Sequence, residues 1–133
     1  MTPRAGLFLY VATERAVAVR VVAGGQSLPI ASREGVDPEV LDALVREVAT
    51  RPFPRPVPQA SVVRTELFAA ARVRSEKALN ATHRVLSLDT DGAGQWVISR
   101  WVAAPDGRGL TVQTTSTVAD AKLADGLRAA LGP

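Results

Sequence analysis

The chain has 133 residues, of which 47% are hydrophobic and 22% charged, and its net charge is +3. These values predict a single globular domain over residues 1–133 with enough apolar material for a core. Cysteine is absent, which excludes a disulfide framework, a thiolate metal site and a cysteine nucleophile.

Arginine supplies nearly all of the positive charge, with fourteen arginines against two lysines. The arginines are scattered and aromatic residues make up only 5% of the chain. Nucleic acid-binding surfaces instead cluster their basic residues and interleave them with aromatic ones. We therefore expect no nucleic acid partner. The richness in alanine, valine and arginine indicates a GC-rich, actinobacterial genome.

No segment has the pattern of a signal peptide or a membrane span. The apolar run at residues 7–12 is short and is followed by Glu14 and Arg15. No run approaches the ~20 apolar residues that a membrane helix needs. Together with the lack of cysteine, this predicts a cytoplasmic protein.

Three strands are predicted in the first quarter of the chain. Gly6–Ala12 is a short apolar run, and Ala16–Ala23 has valine at alternate positions. A Gly-Gly pair at positions 24–25 is typical of a tight hairpin turn, after which Ser27–Ser32 forms the third strand. Pro29 cannot donate a ladder hydrogen bond, so this strand is expected at an edge of the sheet.

Two helices and a stiff spacer are predicted next. Asp37 as N-cap and Pro38 at the first helical position begin a helix that runs to about Ala49. Prolines at every second position of segment 51–58 favour an extended polyproline II spacer. The apolar spacing of Ser61–Leu79 predicts one further helix.

The last third of the chain predicts a three-stranded meander followed by a helix. The strands are Arg84–Asp89, Gln95–Ala103 and Gly109–Thr115. Thr117 is expected to cap the final helix, with Asp120 at the spacing of a capping box. The buried stripe of this helix consists of Leu123, Leu127 and Leu131.

Units 16–49 and 96–131 repeat the same order of strand, turn, strand and capped helix. Arg20 matches Arg100 at an offset of 80, and after the turn an offset of 82 applies. The matched pairs are Leu28 with Leu110, Ile30 with Val112, Leu41 with Leu123, and Val45 with Leu127. The pattern predicts a duplicated strand–strand–helix unit in an α+β domain, with an antiparallel sheet of five to six strands.

The Asp89–Gly92 sequence, DTDG, has the acidic spacing of a calcium loop and of an aspartate-dependent phosphatase. An EF-hand loop that starts at Asp89 would place Arg100 at its twelfth position, where a glutamate is needed. A phosphatase needs a larger, doubly wound domain around its acids. Asp and Gly are also favoured in turns, so we interpret DTDG as a hairpin loop that binds no metal.

Other catalytic patterns are missing. His83 is the only histidine, which excludes a multi-histidine metal cluster. Ser87 and Ser99 lie within predicted strands and not on a nucleophile elbow. The Gly-Gly pair lacks the spacing of a phosphate-binding loop. We therefore expect a non-enzymatic protein with no catalytic, metal or cofactor-binding residues.

The strongest indication of a partner is the pair of tryptophans. Trp96 and Trp101 lie at odd spacing on one strand, so one ring can enter the core while the other faces outward. The neighbouring strand at 110–115, LTVQTT, is uncharged, contains no proline and includes Val112. We predict a protein-binding surface made of Trp96, Trp101, Arg100 and Val112, used in a homodimer or with another protein.

The second half of the chain resembles a known family. From Val57 the sequence VPQASVVRTELFAAARV is followed by VLSLDTDGAGQWVISR, a further strand and an Ala/Leu-rich helix. This order resembles the C-terminal part of the EspG-type proteins of ESX (type VII) secretion in actinobacteria. Asp89-Thr90, Gly94, segment 95–98 and Leu123–Leu131 take the family's positions, although Gln95 replaces the family's usual arginine.

The resemblance implies a cytoplasmic, non-enzymatic chaperone that binds the helical tip of secreted PE/PPE-like substrates. It also implies a central sheet with quasi-two-fold symmetry. The chain has about half the usual family length, which predicts a homodimer that rebuilds the symmetric whole. The alternative is a small-molecule-binding or enzymatic α+β domain with a pocket between sheet and helices.

Overall fold

The computed structural model describes residues 5–22, 25–90 and 93–132, which form one α+β unit. The strands are β1 (Ala5–Val11), β2 (Arg15–Val22), β3 (Gly25–Glu34), β4 (Arg84–Thr90), β5 (Gln95–Ala103) and β6 (Leu110–Ala119). The helices are α1 (Pro38–Thr50), α2 (Ala60–Ala71), α3 (Glu76–Thr82) and α4 (Leu123–Leu131), the last preceded by a 3-10 turn at Asp120–Lys122. Within this part of the chain, no helix is both long and apolar enough to cross a membrane.

The six strands form a single sheet in the order β3-β2-β1-β4-β5-β6, with every neighbouring pair antiparallel. The predicted α+β class and the five to six antiparallel strands are confirmed. β3, which carries Pro29, lies at one edge as predicted, and β6 lies at the other. β1 lies at the centre of the sheet and therefore does not pair with β6, whose outer edge has no neighbouring strand among the described residues.

One face of the sheet packs against α1 and α4. At its centre, β1 pairs with β4 so that Leu7 lies opposite Leu88 and Leu9 opposite Leu86. All four leucines are buried in one core with the apolar stripes of the two helices. The helical members are Leu41, Leu44, Val45 and Val48 of α1, and Leu123, Leu127 and Leu131 of α4.

The opposite face is covered over the β2–β3 half by α2. Val63 and Leu67 of this helix are buried in a second core with Val17 and Val19 of β2. Leu79 of α3 completes this core beside Tyr10 and Val85, whose strands β1 and β4 lie at the centre of the sheet. The two faces therefore bury separate clusters, as the period-2 alternation of strand side chains requires.

The element order predicted for the two units is present, with β2, β3 and α1 in the first and β5, β6 and α4 in the second. The β2–β3 register shifts at Val19/Arg20 and the β5–β6 register shifts at Arg100/Trp101, because β3 and β6 carry extra, unpaired residues at these points. Arg20 Nη1 donates to the carbonyls of Val48, Ala49 and Arg51 at 2.8–3.1 Å, where α1 ends. Arg100 Nη1 donates to the carbonyls of Ala130 and Leu131 at 3.3 and 2.9 Å, where α4 ends.

In both units a cation thus satisfies helix carbonyls that have no intrahelical partner, where the helix dipole also favours positive charge.

The repeat holds less well in β3 and β6, the third strand of each unit. Val19 pairs with Ile30, whereas Ser99 pairs with Thr115. Thr115 and not Val112 therefore occupies the place of Ile30, so the predicted match of Ile30 with Val112 is wrong.

The single helix predicted for Ser61–Leu79 is instead two helices. Arg72 adopts a left-handed backbone conformation with φ 59°, and its N–H bonds back to the last turn of α2. Ser75 then caps α3 by accepting a hydrogen bond from the Ala78 N–H at 3.1 Å. The left-handed residue turns the chain, so α2 and α3 contact different strands.

The end of the sheet also differs from the prediction. β6 continues to Ala119, and Thr117 pairs with Val97 within the ladder and does not cap the final helix.

Position 24 of the predicted Gly-Gly turn lies outside the described residues. Segment 51–58 contains neither helix nor strand, and its Phe53 ring lies 4.4 Å from the Arg20 guanidinium.

Leu127→Ala is expected to lower the free energy of unfolding by about 2–5 kcal/mol, because this fully buried side chain joins α4 to the sheet. Urea denaturation followed by circular dichroism measures the change. Val62→Ala is the control, since Val62 is 46% exposed on α2 and should lose less than about 0.5 kcal/mol. Equal losses in the two variants would contradict the packing described for α4.

Candidate partner-binding surface

The β5–β6 half of the second sheet face has no helix packed on it among the described elements. α2 packs on β2 and β3, while α4 contacts β5 and β6 from the other side of the sheet. All seven residues of segment 111–117 are exposed. We call this half of the sheet the open face and define it by Ser87, Val97, Ser99, Trp101, Val112 and Thr115.

Trp101 is the largest side chain of the open face. Its ring lies 6.0 Å from that of Phe8, which in turn lies 6.3 Å from Tyr10. Its indole Nε1–H donates to Ser87 Oγ at 2.8 Å, and the ring remains half-buried. A fixed aromatic ring with one accessible side is typical of the residues that dominate protein interfaces.

Hydroxyl groups surround this ring. Ser99 and Thr115 are cross-strand partners whose hydroxyl oxygens are 3.0 Å apart. Thr117, which pairs with Val97, adds a further exposed hydroxyl group on the same face. Serine and threonine hydroxyls are uncharged and both donate and accept hydrogen bonds. A protein partner can therefore replace the water around them without burying an unpaired charge.

The four residues predicted to contact a partner are divided between the two faces. Trp101 and Val112 are cross-strand partners on the open face, and Val112 is 42% exposed. The Arg100 side chain extends from the opposite face to the end of α4, and Arg100 also lines the groove at the end of the sheet that is described below. Phe8 and Ser87 were not predicted to belong to this surface, although strand alternation already placed each of them on the side of a predicted strand away from the leucines.

Trp96 is buried in the first core, with 4% of its surface exposed, so it contacts no partner in the folded chain. Its Nε1–H donates to Asp120 Oδ1 at 2.7 Å. Arg46 donates to the same Asp120 oxygen at 2.7 Å and to Asp42 at 2.5 Å. The hydrogen bond from Trp96, together with that from Arg46, holds the pKa of Asp120 below its ordinary value.

The two sheet edges differ in how they resist pairing with another strand. β3 contains Pro29 and ends in Arg33 and Glu34, which form ion pairs with Glu47 and Arg15. β6 contains no proline and no charged residue along its ten positions. Charges and proline protect natural edge strands, so β6 is the edge that is open to pairing.

A groove of about 770 Å³ adjoins the open face. It forms because the β4–β5 ladder ends at the Val85–Trp101 pair, while β5 continues to Ala103 and its hairpin with β6 extends past β4. α3 forms the other wall. The charged residues that line the groove are three cations, Lys77, Arg84 and Arg100, and one carboxylate, Glu76.

His83 lies buried at the base of this groove, where α3 meets β4. Thr82 Oγ1 donates its proton to the Ala78 carbonyl at 2.7 Å, so the 2.8 Å contact with His83 Nδ1 requires an Nδ1–H donor. Nε2 is then the acceptor nitrogen and has no partner among the described residues. Burial lowers the pKa of His83 below its ordinary value of 6.5.

The DTDG sequence, which was predicted as a hairpin loop, begins within β4. Asp89 and Thr90 belong to β4, and the two residues that follow lie outside the described part of the chain. Asp89 pairs with Gly6 and Val97 in the ladders. Among residues 5–22, 25–90 and 93–132, no three His, Cys, Asp or Glu side chains are grouped to hold a metal ion.

The sequence matches no protein-family model and no curated protein. Two solved structures have the same fold. A protein of unknown function, NMB0488 from Neisseria meningitidis, superposes with a TM-score of 0.66 at 13% identity, over 98% of this chain and 95% of that one. A chain of the CdiA-CT/CdiI toxin and immunity complex from Yersinia pseudotuberculosis superposes with a TM-score of 0.56 at 11% identity, over 97% and 96%.

The buried His83 predicts a loss of stability in mild acid. Its folded pKa lies below its unfolded value, so the unfolded chain takes up a proton first as the pH falls. The free energy of unfolding should therefore fall as the pH drops from about 6.5 towards the folded pKa. Urea titrations at several pH values would measure this slope.

His83→Asn keeps an N–H donor near Thr82 but cannot titrate, so its stability should depend less on pH over this window. The carboxylates that stabilise the fold, such as Asp120, titrate at lower pH and are unchanged in the variant. An identical slope in the wild type and His83→Asn would contradict the buried, neutral state of this imidazole.

Proposed function

We propose that this protein is a non-enzymatic, cytoplasmic binding protein that forms a complex with another protein through the open face and the β6 edge. The observation that carries the proposal is the contrast between equivalent positions of the two units. Val17 and Val19 are fully buried beneath α2, whereas Val97 and Ser99 remain half-buried on the open face. The uncharged edge strand borders the same half of the sheet, so both features serve one interface.

The partner that we favour is a toxin domain, which this protein would neutralise by binding. The support is the fold shared with a chain from the toxin and immunity complex of Yersinia pseudotuberculosis.

A second candidate is an EspG-like chaperone for a helical, secreted PE/PPE-like protein. The observation that favours it is the internal quasi-two-fold arrangement. β1-β2-β3-α1 and β4-β5-β6-α4 lie on either side of the β1–β4 pair. The empty position above β5 and β6 corresponds to the position of α2 above β2 and β3, so a helix of the partner could lie there.

Co-expression with the proteins encoded next to this gene tests the proposal. We expect one of them to co-purify in a stoichiometric complex, measured by size-exclusion chromatography with light scattering. If that partner arrests growth alone and growth recovers with this protein, the toxin assignment is supported. If it is harmless but aggregates alone, the chaperone assignment is supported. Failure of every neighbouring protein to form a complex would contradict the proposal.

Val112→Lys should weaken such a complex at least ten-fold, because it places a charge beside Trp101 on the open face. Val62→Lys is the matched control, since both valines are similarly exposed, at 42% and 46%, and both variants gain one positive charge. Isothermal titration calorimetry measures the affinities. Equal weakening by the two substitutions would place the interface elsewhere.

The uncharged β6 edge also favours a homodimer when no other partner is bound. Light scattering at tens of micromolar should then give twice the 14.0 kDa mass of one chain. Val112→Lys should shift this equilibrium towards the monomer, and Val62→Lys should not. A monomer at all accessible concentrations would exclude the homodimer and would leave the complex with another protein as the use of this edge.

A further inference from the structure

We infer that the groove between α3 and the β5–β6 hairpin binds a carboxylate-rich segment of the partner protein. The inference rests on the proposed function, since it names the chemistry of the segment that the partner inserts. The groove opens beside Trp101, so it is continuous with the open face. A partner that covers the open face therefore also reaches the groove.

The net positive charge of the groove favours an anionic ligand. Lys77, Arg84 and Arg100 supply three cations against the single carboxylate of Glu76. None of these cations has a carboxylate within 4.0 Å among the described residues, whereas Arg15, Arg33, Arg46, Arg51 and Arg72 all form ion pairs. The groove is thus lined by three cations that have no acidic partner within the described part of the fold.

The arginines are held in place before any ligand binds. Arg100 donates through Nη1 to the carbonyls of Ala130 and Leu131, and Arg84 donates to the Leu131 carbonyl at 3.4 Å. A guanidinium carries five N–H donors, so these bonds leave donors for a carboxylate. Their orientation is fixed by the end of α4, which lowers the entropic cost of binding an anion.

The groove fits an acidic peptide better than a nucleic acid. Three cations and one tryptophan form a short patch, while a nucleic acid strand needs a longer basic track with several stacking rings. The wall at Val85, Trp101 and Leu110 is apolar and can pack against the side chains between the carboxylates. An extended acidic segment meets both requirements.

Nuclear magnetic resonance with octaglutamate tests the inference on the protein alone. The two indole N–H groups are built-in reporters, because Trp101 borders the groove whereas Trp96 lies buried on the other sheet face. Octaglutamate should shift the Trp101 indole signal and the amide signals of Lys77 and Val102, and leave the Trp96 indole signal in place. Added salt should weaken binding, and octalysine should have no effect.

Lys77→Gln combined with Arg84→Gln should weaken octaglutamate binding about ten-fold. Arg64→Gln combined with Lys122→Gln is the matched control, since it removes the same net charge from exposed positions outside the groove. Equal weakening by both double variants, or shifts centred away from the groove, would overturn the inference. Tighter binding of an oligothymidine strand to these residues would also overturn it.

The outcomes separate this inference from the proposed function. If a stoichiometric complex forms but octaglutamate does not bind in the groove, the inference fails and the binding function stands. If octaglutamate binds in the groove but no neighbouring protein forms a complex, the binding function fails and the groove chemistry stands.

Discussion

The antiparallel pairing of β1 with β4 is the interaction on which the rest of the structure depends. It joins two units of three strands and one helix into a single sheet and sets Leu7 opposite Leu88 and Leu9 opposite Leu86. A shift by one residue would move the leucines of one strand to the other face, so the buried face fixes the register. α1 and α4 then share one core above this seam.

The asymmetry of the second face follows from the segment between the two units. Residues 51–83 supply α2 and α3, which cover β2, β3 and the centre of the sheet but not β5 and β6. The core on the other face keeps its symmetry, down to the arginines that bind the ends of α1 and α4. A duplicated scaffold with one covered and one open half thereby presents Trp101 and β6 to a partner.

Much of the scaffold could be predicted from local pattern. The alternating valines of β2, the Asp-Pro start of α1 and the leucine stripe of α4 each appear in the structure where the sequence placed them. The break between α2 and α3 could not be predicted, because arginine rarely adopts the left-handed conformation seen at Arg72. The packing of both helices on the sheet decides where the chain turns.

The candidate surface was only partly predictable for a similar reason. Odd spacing correctly separated Trp96 from Trp101, but it could not show which ring is buried. That choice depends on Asp120, which follows β6 and accepts the Trp96 indole hydrogen. The groove depends on how far β5 extends past β4, which is a property of the ladder and not of any local stretch of sequence.

Hydrogen–deuterium exchange of the free protein and of its complex would locate the partner on the sheet. We predict that the partner protects the backbone amides of β6 and of the end of β5, while exchange in β3 and on the outer side of α1 stays unchanged. Protection of β3 or α1 with continued rapid exchange along β6 would contradict it.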